Sequence, residues 1–83
     1  MHIPPKQPDL VALGREVARV RQLKGWSLDA LADAAGVSRR TLINVEGATK
    51  APRIDTLFAI AVALDVSLAS LVQSVDGRST GEI

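Results

Sequence analysis

Residues 28–46, LDALADAAGVSRRTLINVE, contain two short helical patterns that are separated by a glycine. The first pattern is rich in alanine and leucine, and Ser27 precedes it as a candidate N-cap. Gly36 follows as a helix breaker, and Ser38 is a candidate N-cap for a second helix over residues 39–46. A connection this short between two helices is typical of a helix-turn-helix, and it decides how the rest of the chain is arranged.

The remaining sequence also favours helices. Alternation of polar and apolar residues is missing, and alanine and leucine dominate, so we predict an all-α protein. Leu13, Val17 and Val20 form an inward stripe at i, i+4 and i+7. The stripe extends to Leu23, and Gly25 ends the helix. Five helices are expected, over residues 10–24, 28–35, 39–46, 55–64 and 68–73.

The composition limits what the protein can be. The 83 residues suffice for one small domain, and 47% of them are hydrophobic. The chain has no cysteine, which excludes disulfides and thiolate metal sites. Its aromatic residues are Trp26, expected in the core between the first two helices, and Phe58. This scarcity argues against proteins that stack RNA or single-stranded bases on aromatic side chains.

Three segments are expected along the chain. Residues 1–9 are polar and interrupted by prolines, which predicts a flexible N-terminal arm and does not resemble a signal peptide. Residues 10–73 form the domain, and residues 74–83 lack apolar periodicity, which predicts a disordered tail. No apolar run is long enough to span a membrane, so we expect a cytoplasmic protein.

The net charge of +1 conceals a segregation of charge. Residues 15–24 carry four basic side chains against one acidic, and so do residues 39–53. Residues 54–83 carry four acidic side chains against one basic. Two basic segments in a nearly neutral chain favour a surface that binds a polyanion, although charged runs are more often solvated helix faces.

A helical wheel of residues 39–46 separates an inward from an outward side. Leu42 and Val45 lie on the side that anchors the helix to the core, whereas Arg40 and Asn44 lie roughly opposite, one turn apart. Arg39 lies at the leading end. Arginine pairs with two acceptors of guanine, and asparagine pairs with adenine, so this side suits the base edges of DNA. The alternative is a solvated helix face that happens to hold arginines.

From residue 13 to residue 72 the chain resembles the phage-repressor-type (Cro-like, XRE-type) helix-turn-helix family of bacterial and phage transcription regulators. The stretches that carry the resemblance are LGREVARVRQLKGWSLDALADAAGVSRRTL, then NVE, then P-x-x-x-TLFAIAVALDVSLASL. The matching residues are Ala32, Gly36, Val37, Ser38, Leu42, Val45, Glu46, Pro52, Leu57, Ala61, Leu64 and Leu71. The resemblance implies a compact five-helix bundle of the lambda-repressor-like type that binds double-stranded DNA.

The family also has an ion pair between its first helix and the end of its third, which Arg21 and Glu46 match. Two positions depart from the family pattern. Leu28 replaces a glutamine that contacts phosphate in the family, and Ala48 replaces a glycine, with Gly47 one residue earlier. The second departure predicts a reshaped turn after the third helix.

The expected DNA contacts fall into two groups. Base contacts are expected from Arg40, Asn44, Arg39 and Ile43, in that order for the first three, with Ile43 against a thymine methyl group. Contacts to the DNA backbone, or to backbone and bases, are expected from Ser38, Thr41, Thr49, Lys50, Arg53 and Ser27.

The fourth helix has an inward stripe and an apolar surplus. The inward stripe comprises Ile54, Leu57, Ile60, Ala61 and Leu64. The surplus of Phe58, Val62, Val72 and Val75 predicts a homodimer interface. We therefore expect a homodimeric repressor that binds a pseudo-palindromic operator and is nucleoid-associated when bound. The alternative is an antitoxin-type module that binds a partner toxin and uses DNA only to regulate its own operon.

Other residue clusters give no support to catalysis. Asp29 and Asp33 have the i, i+4 spacing of a metal site, but a solvated face is the favoured interpretation without nearby histidine or cysteine. His2 lies in the N-terminal arm, and the serines that precede helices are candidate caps. We expect no enzyme activity, cofactor or metal.

Overall fold

A computed structural model describes residues 8–75 of the chain. The described part consists of helices without a strand, which confirms the all-α prediction. The first helix ends one residue earlier than expected, the fourth begins one residue earlier, and the fifth continues two residues beyond Gln73. Residues 1–7 and 76–83, with most of the predicted arm and tail, lie outside the described residues. The helices are α1 (Leu10–Leu23), α2 (Leu28–Ala35), α3 (Arg39–Glu46), α4 (Ile54–Leu64) and α5 (Leu68–Val75).

Side-chain caps explain where four of the helices begin. Asp9 accepts a hydrogen bond from the amide of Ala12 at the start of α1. Ser27 and Ser38 accept equivalent bonds, both 3.0 Å long, at the starts of α2 and α3. Each cap satisfies an amide that has no partner within its own helix, a contribution of about 1 kcal/mol. Ser67 accepts from the amide of Ser70 at 3.1 Å at the start of α5, so the three serine caps that the sequence predicted are present.

The core lies where all five helices meet. Leu31 and Leu42 of the helix-turn-helix are completely buried there. Gly36, with φ +70, ends α2 in the left-handed conformation that glycine adopts without strain, so α3 can turn back toward the core. The other buried apolar residues are Leu13, Val17, Ala32, Val45, Leu57, Ile60, Ala61, Leu64 and Leu71.

Two of the residues predicted to face inward are exposed. Leu23 is 74% exposed and Ile54 is 66% exposed. Leu23 lies in the last turn of α1, about 60° around the helix from Val20. Ile54 lies in the first turn of α4, only about 20° around the helix from buried Ala61. Both side chains are exposed because they lie at helix ends, so both predictions were wrong.

Trp26 occupies the turn between α1 and α2. Its ring is half-buried and packs against the core, as expected, while Lys24 Nζ lies 5.5 Å from the ring centroid. This distance permits a cation–π contact that covers the exposed side of the ring. In the described part of the chain no helix has the length and apolarity needed to cross a membrane.

Helices α1 and α3 approach each other closely at Gly14. A Cβ atom at this position would lie 2.5 Å from the carbonyl oxygen of Val45 and 2.6 Å from that of Glu46. Such distances are below van der Waals contact, so only glycine allows this approach. The end of α3 is therefore set directly against the first helix.

Candidate nucleic-acid interface

The buried side of α3 determines which of its residues reach solvent. Leu42 and Val45 are buried in the core, so the helix cannot rotate about its axis without exposing them. Arg40 and Ile43 are consequently exposed, and Asn44 is half-buried on the same outward side. This is the orientation that the helical wheel predicted.

A tight ion pair joins the end of α3 to α1. Arg21 donates from Nε to Glu46 Oε2 at 2.8 Å and from Nη2 to Glu46 Oε1 at 3.1 Å. Its third donor, Nη1, lies 2.7 Å from the carbonyl oxygen of Trp26. Both charged side chains are only 13% exposed, and the hydrogen bond to Glu46 raises the pKa of Arg21. Arg21 is thus held charged between the α1–α2 turn and the last residue of α3.

A second ion pair lies at the other end of α3. Arg39 Nε is 3.3 Å from Asp29 Oδ1, which connects the first turn of α3 to the first turn of α2. Both side chains are exposed, and such surface pairs contribute about 0–1 kcal/mol. Asp29 therefore has a basic partner, and Arg39 can exchange this partner for another anion at little cost.

A groove of about 330 Å³ runs between the outward side of α3 and the loop that follows it. Arg40, Lys50 and Arg53 contribute three positive charges to its lining. Asn44 lies on the α3 side, and the remaining lining residues are Ser38, Thr41, Val45, Ala51, Pro52 and Thr56. The structure thus brings together six of the ten residues for which DNA contacts are predicted. Arg39, Ile43, Thr49 and Ser27 do not line this groove.

The cations of the groove differ in their partners. Arg53 Nη2 lies 3.2 Å from Asp55 Oδ2 in an exposed pair. Arg40 and Lys50 form no ion pair with any residue in the described range 8–75. These two side chains present uncompensated positive charge, which is what a phosphate or an electronegative base edge requires.

The two hydroxyl groups at the start of α3 bind each other. Ser38 Oγ accepts from the amide of Thr41 and lies 2.8 Å from Thr41 Oγ1. One proton of this pair of hydroxyls is therefore shared within the protein. Fewer donors therefore remain for DNA than two independent hydroxyls would supply.

The turn after α3 has its left-handed residue at Ala48. Gly47 is right-handed at φ −89, whereas Ala48 has φ +57. The amide of Thr49 then donates to the carbonyl oxygen of Asn44 at 3.0 Å. Ala48 therefore adopts the left-handed conformation at the position where the family has a glycine. That this turn is reshaped relative to the family stays a prediction.

Two residues with structural roles at this site had no role in the sequence-based prediction. Thr56 lines the groove from the first turn of α4. The only feature of the sequence that could have indicated this is its place in the stretch PRIDTL, directly after the basic loop. Gly14 is an isolated glycine within a helical pattern, and such a glycine often marks close packing.

The predicted dimer surface is separate from the groove-lining residues. Phe58 is 58% exposed, Val62 is 61% exposed, and Val72 is also exposed. Ile54, predicted to be buried, lies one turn before Phe58 and extends this row on α4. Val75 is the last residue of α5, and its side chain lies outside the described residues.

A helix-turn-helix whose second helix presents basic and amide side chains beside a basic loop defines a class of DNA-binding domain. The model of the helix-turn-helix family HTH_3 matches residues 17–71. The chain therefore belongs to this XRE-type family of DNA-binding transcription regulators.

The comparisons with individual proteins agree with this assignment. The HTH-type transcriptional regulator SutR of Escherichia coli K12 is 37% identical over 60 residues, which cover 72% of this chain. The matched part is 34% of SutR, so the chain spans about a third of that relative's length.

Two solved structures have the same fold. The restriction-modification controller protein C.AhdI from Aeromonas hydrophila has a TM-score of 0.74 at 30% identity, covering 76% of this chain and 96% of its own. SinR, a master regulator for biofilm formation solved in complex with DNA, has a TM-score of 0.69 at 34% identity. That match covers 72% of this chain and 97% of the SinR chain. These likenesses extend over nearly the whole described domain.

Proposed function

We propose that this chain is a sequence-specific regulator that binds double-stranded DNA as a homodimer and represses transcription from a pseudo-palindromic operator. The observation that supports this most directly is the outward side of α3. Arg40 has no ion-pair partner in the described structure, Asn44 lies one turn further along, and buried Leu42 and Val45 fix the orientation of both. The relatives described above are regulators, which favours this hypothesis over the antitoxin alternative.

In the proposed complex α3 enters the major groove with its N-terminal turn first. Arg40 donates two hydrogen bonds to a guanine, Asn44 contacts the next base pair, and Arg39 exchanges Asp29 for DNA. Ile43 packs on a thymine methyl group.

Phosphate contacts position the helix in this complex without specifying sequence. Lys50 and Arg53 lie across the groove from Arg40 and supply charge for one DNA strand. Arg53 gives up its exposed pair with Asp55 at little cost. The uncapped start of α4 lies beside them, with Arg53 as its N-cap residue.

A second copy of the chain covers the apolar residues of α4 and α5 in the proposed dimer. Phe58, Val62 and Val72 would be removed from water in that interface. Two-fold symmetry then places the two copies of α3 about one DNA turn apart, roughly 10–10.5 bp. Repression in this proposal follows from occlusion of the operator. A protein that acts in this way lies in the cytoplasm, on the nucleoid when it is bound to DNA.

Selection of bound sequences from a random double-stranded DNA pool tests this function. We expect a two-fold symmetric motif with guanines spaced about one turn apart. Weak binding to all sequences, with a strong dependence on salt, would contradict the proposal and favour a protein-partner module such as the antitoxin.

A further inference from the structure

A hydrogen bond within the protein controls the side chain of Asn44. Thr49 Oγ1 donates to Asn44 Oδ1 at 2.9 Å. The other acceptor within reach of this hydroxyl, the backbone oxygen of Asn44, is more distant at 3.4 Å. Because Thr49 has one hydroxyl proton, the shorter bond takes it, and none remains for a DNA phosphate.

The turn after α3 makes this contact possible. Left-handed Ala48 reverses the chain, so that the amide of Thr49 bonds the backbone oxygen of Asn44 at 3.0 Å. The backbone of Thr49 is thereby fixed beside Asn44, and its hydroxyl reaches the amide side chain from the loop. Asn44 itself lines the basic groove, so this amide belongs to the surface proposed to contact DNA.

The bonded state of Asn44 changes which base it suits. Adenine offers a donor and an acceptor in the major groove, and asparagine needs both Oδ1 and Nδ2 to match them. Thr49 occupies one of the two lone pairs of Oδ1, so the side chain keeps both protons of Nδ2 but one remaining acceptor position. Guanine offers two acceptors, O6 and N7, and therefore matches a side chain that has more donor than acceptor positions left.

We infer that Thr49 is a positioning residue that fixes Asn44 as a hydrogen-bond donor, so that Asn44 selects guanine rather than the adenine that asparagine commonly pairs with. This inference rests on the proposed function, because it assumes that α3 enters the major groove. It deepens that proposal by giving a residue outside the helix a part in base selection.

The test is the same selection from random double-stranded DNA, carried out with three variants of the full chain. Asn44→Ala locates the base pair that Asn44 contacts, because preference is lost only there. Thr49→Val replaces the hydroxyl with a methyl group of similar size, and Thr49→Ser retains a hydroxyl. Thr49→Ser is therefore the matched control for Thr49→Val.

At the base pair located by Asn44→Ala we expect wild type and Thr49→Ser to prefer guanine. The preference for guanine should be about 5-fold or more, because about 5-fold is the smallest discrimination expected of a contact with two hydrogen bonds. Thr49→Val should shift the preference toward adenine, because both lone pairs of Oδ1 are then available and the amide is no longer held by Thr49. Thermal melting of Thr49→Val checks that the variant is folded, and Thr49→Ser tests the hydroxyl independently.

Two results would overturn the inference while leaving the proposed function intact. One is a wild-type preference for adenine at that base pair, and the other is a folded Thr49→Val variant with unchanged preference. Selection that enriches no sequence with the wild-type chain would overturn the proposed function itself, and the inference with it. The presence or absence of an enriched motif therefore distinguishes the two failures.

Discussion

Gly14 on α1 lies against the carbonyl oxygen of Val45 on α3 so closely that a methyl group at Gly14 would reach within 2.5 Å of that oxygen. Glycine in a helix interior ordinarily costs about 0.5–1 kcal/mol relative to alanine. Here the close helix contact requires it. The carbonyl oxygen of Glu46 is equally near, so the contact fixes the end of α3 that also carries the ion pair with Arg21.

Gly14→Ala should destabilise the protein by about 1–3 kcal/mol in urea unfolding, because α1 must move away from α3. Helix propensity alone predicts the opposite sign. The control is Arg15→Ala at the next, exposed position, which should change the free energy of unfolding by less than about 0.5 kcal/mol. Equal or greater stability of Gly14→Ala would show that the contact is looser than described.

Glu46→Ala should cost about 3 kcal/mol, since it leaves Arg21 charged, largely buried and without its carboxylate. A double-mutant cycle with Arg21→Met, measured by urea unfolding, should give a coupling energy of about 0.5–3 kcal/mol. Zero coupling would mean that the two side chains contribute independently.

The exposed pair of Glu16 and Arg19 provides the control for that cycle. Glu16→Ala should cost at most about 0.5 kcal/mol, because Arg19 is well exposed. The hydrogen bond from Arg19 lowers the pKa of Glu16 from its ordinary 4.5. The small contribution of this pair is therefore complete above pH 4.5 and is lost as the pH falls through the lowered pKa.

Arg40→Ala should weaken operator binding by about 1–3 kcal/mol and relax the preference at one base pair in each half-site. Lys50→Ala should instead weaken binding to all sequences and reduce the slope of log affinity against log salt by about 1. Titration of operator and scrambled DNA at several salt concentrations separates these effects. An equal loss by Arg40→Ala on both DNAs would make Arg40 a phosphate contact.

Phe58→Asp should convert the proposed dimer to a monomer, because it introduces a charge at the apolar interface of α4. Sedimentation velocity measures the change. Leu23→Asp is the control, since Leu23 is exposed and apolar but lies at the end of α1, outside the predicted interface. A folded Phe58→Asp variant with the wild-type sedimentation coefficient would refute this interface.

Ala48→Gly should stabilise the protein by about 1 kcal/mol, because a non-glycine residue pays about 1–2 kcal/mol for a left-handed backbone. Ala51→Gly is the control in the same loop. Ala51 does not have a positive φ, so glycine there should be neutral or destabilising. Thermal unfolding compares the two variants, and a loss of stability in Ala48→Gly would contradict the argument.

The sequence predicted features that depend on neighbouring residues. The caps Ser27 and Ser38 and the buried positions Leu42 and Val45 follow from patterns within a few residues, and all four are found. The exposure of Ile54 depends on which helices lie beside it, and a pattern of neighbouring residues does not predict such packing.

The hydrogen bond between Thr49 and Asn44 was beyond sequence-based prediction for a different reason. It depends on the left-handed backbone of Ala48, at a position where alanine gives no sign of that conformation. The pairing of Arg39 with Asp29 likewise depends on the distance between the starts of two helices. Arg21 and Glu46 were paired only by family resemblance, because they are 25 residues apart.

The attachment of α3 by its inward side also bears on how such proteins diversify. Leu42, Val45 and Glu46 hold the helix, whereas Arg40 and Ile43 contribute little to the core. Replacement of these exposed side chains therefore leaves stability nearly unchanged. A duplicated gene could acquire a new target by exchanging a few outward residues, and the same separation makes the domain a starting point for orthogonal regulators in synthetic circuits.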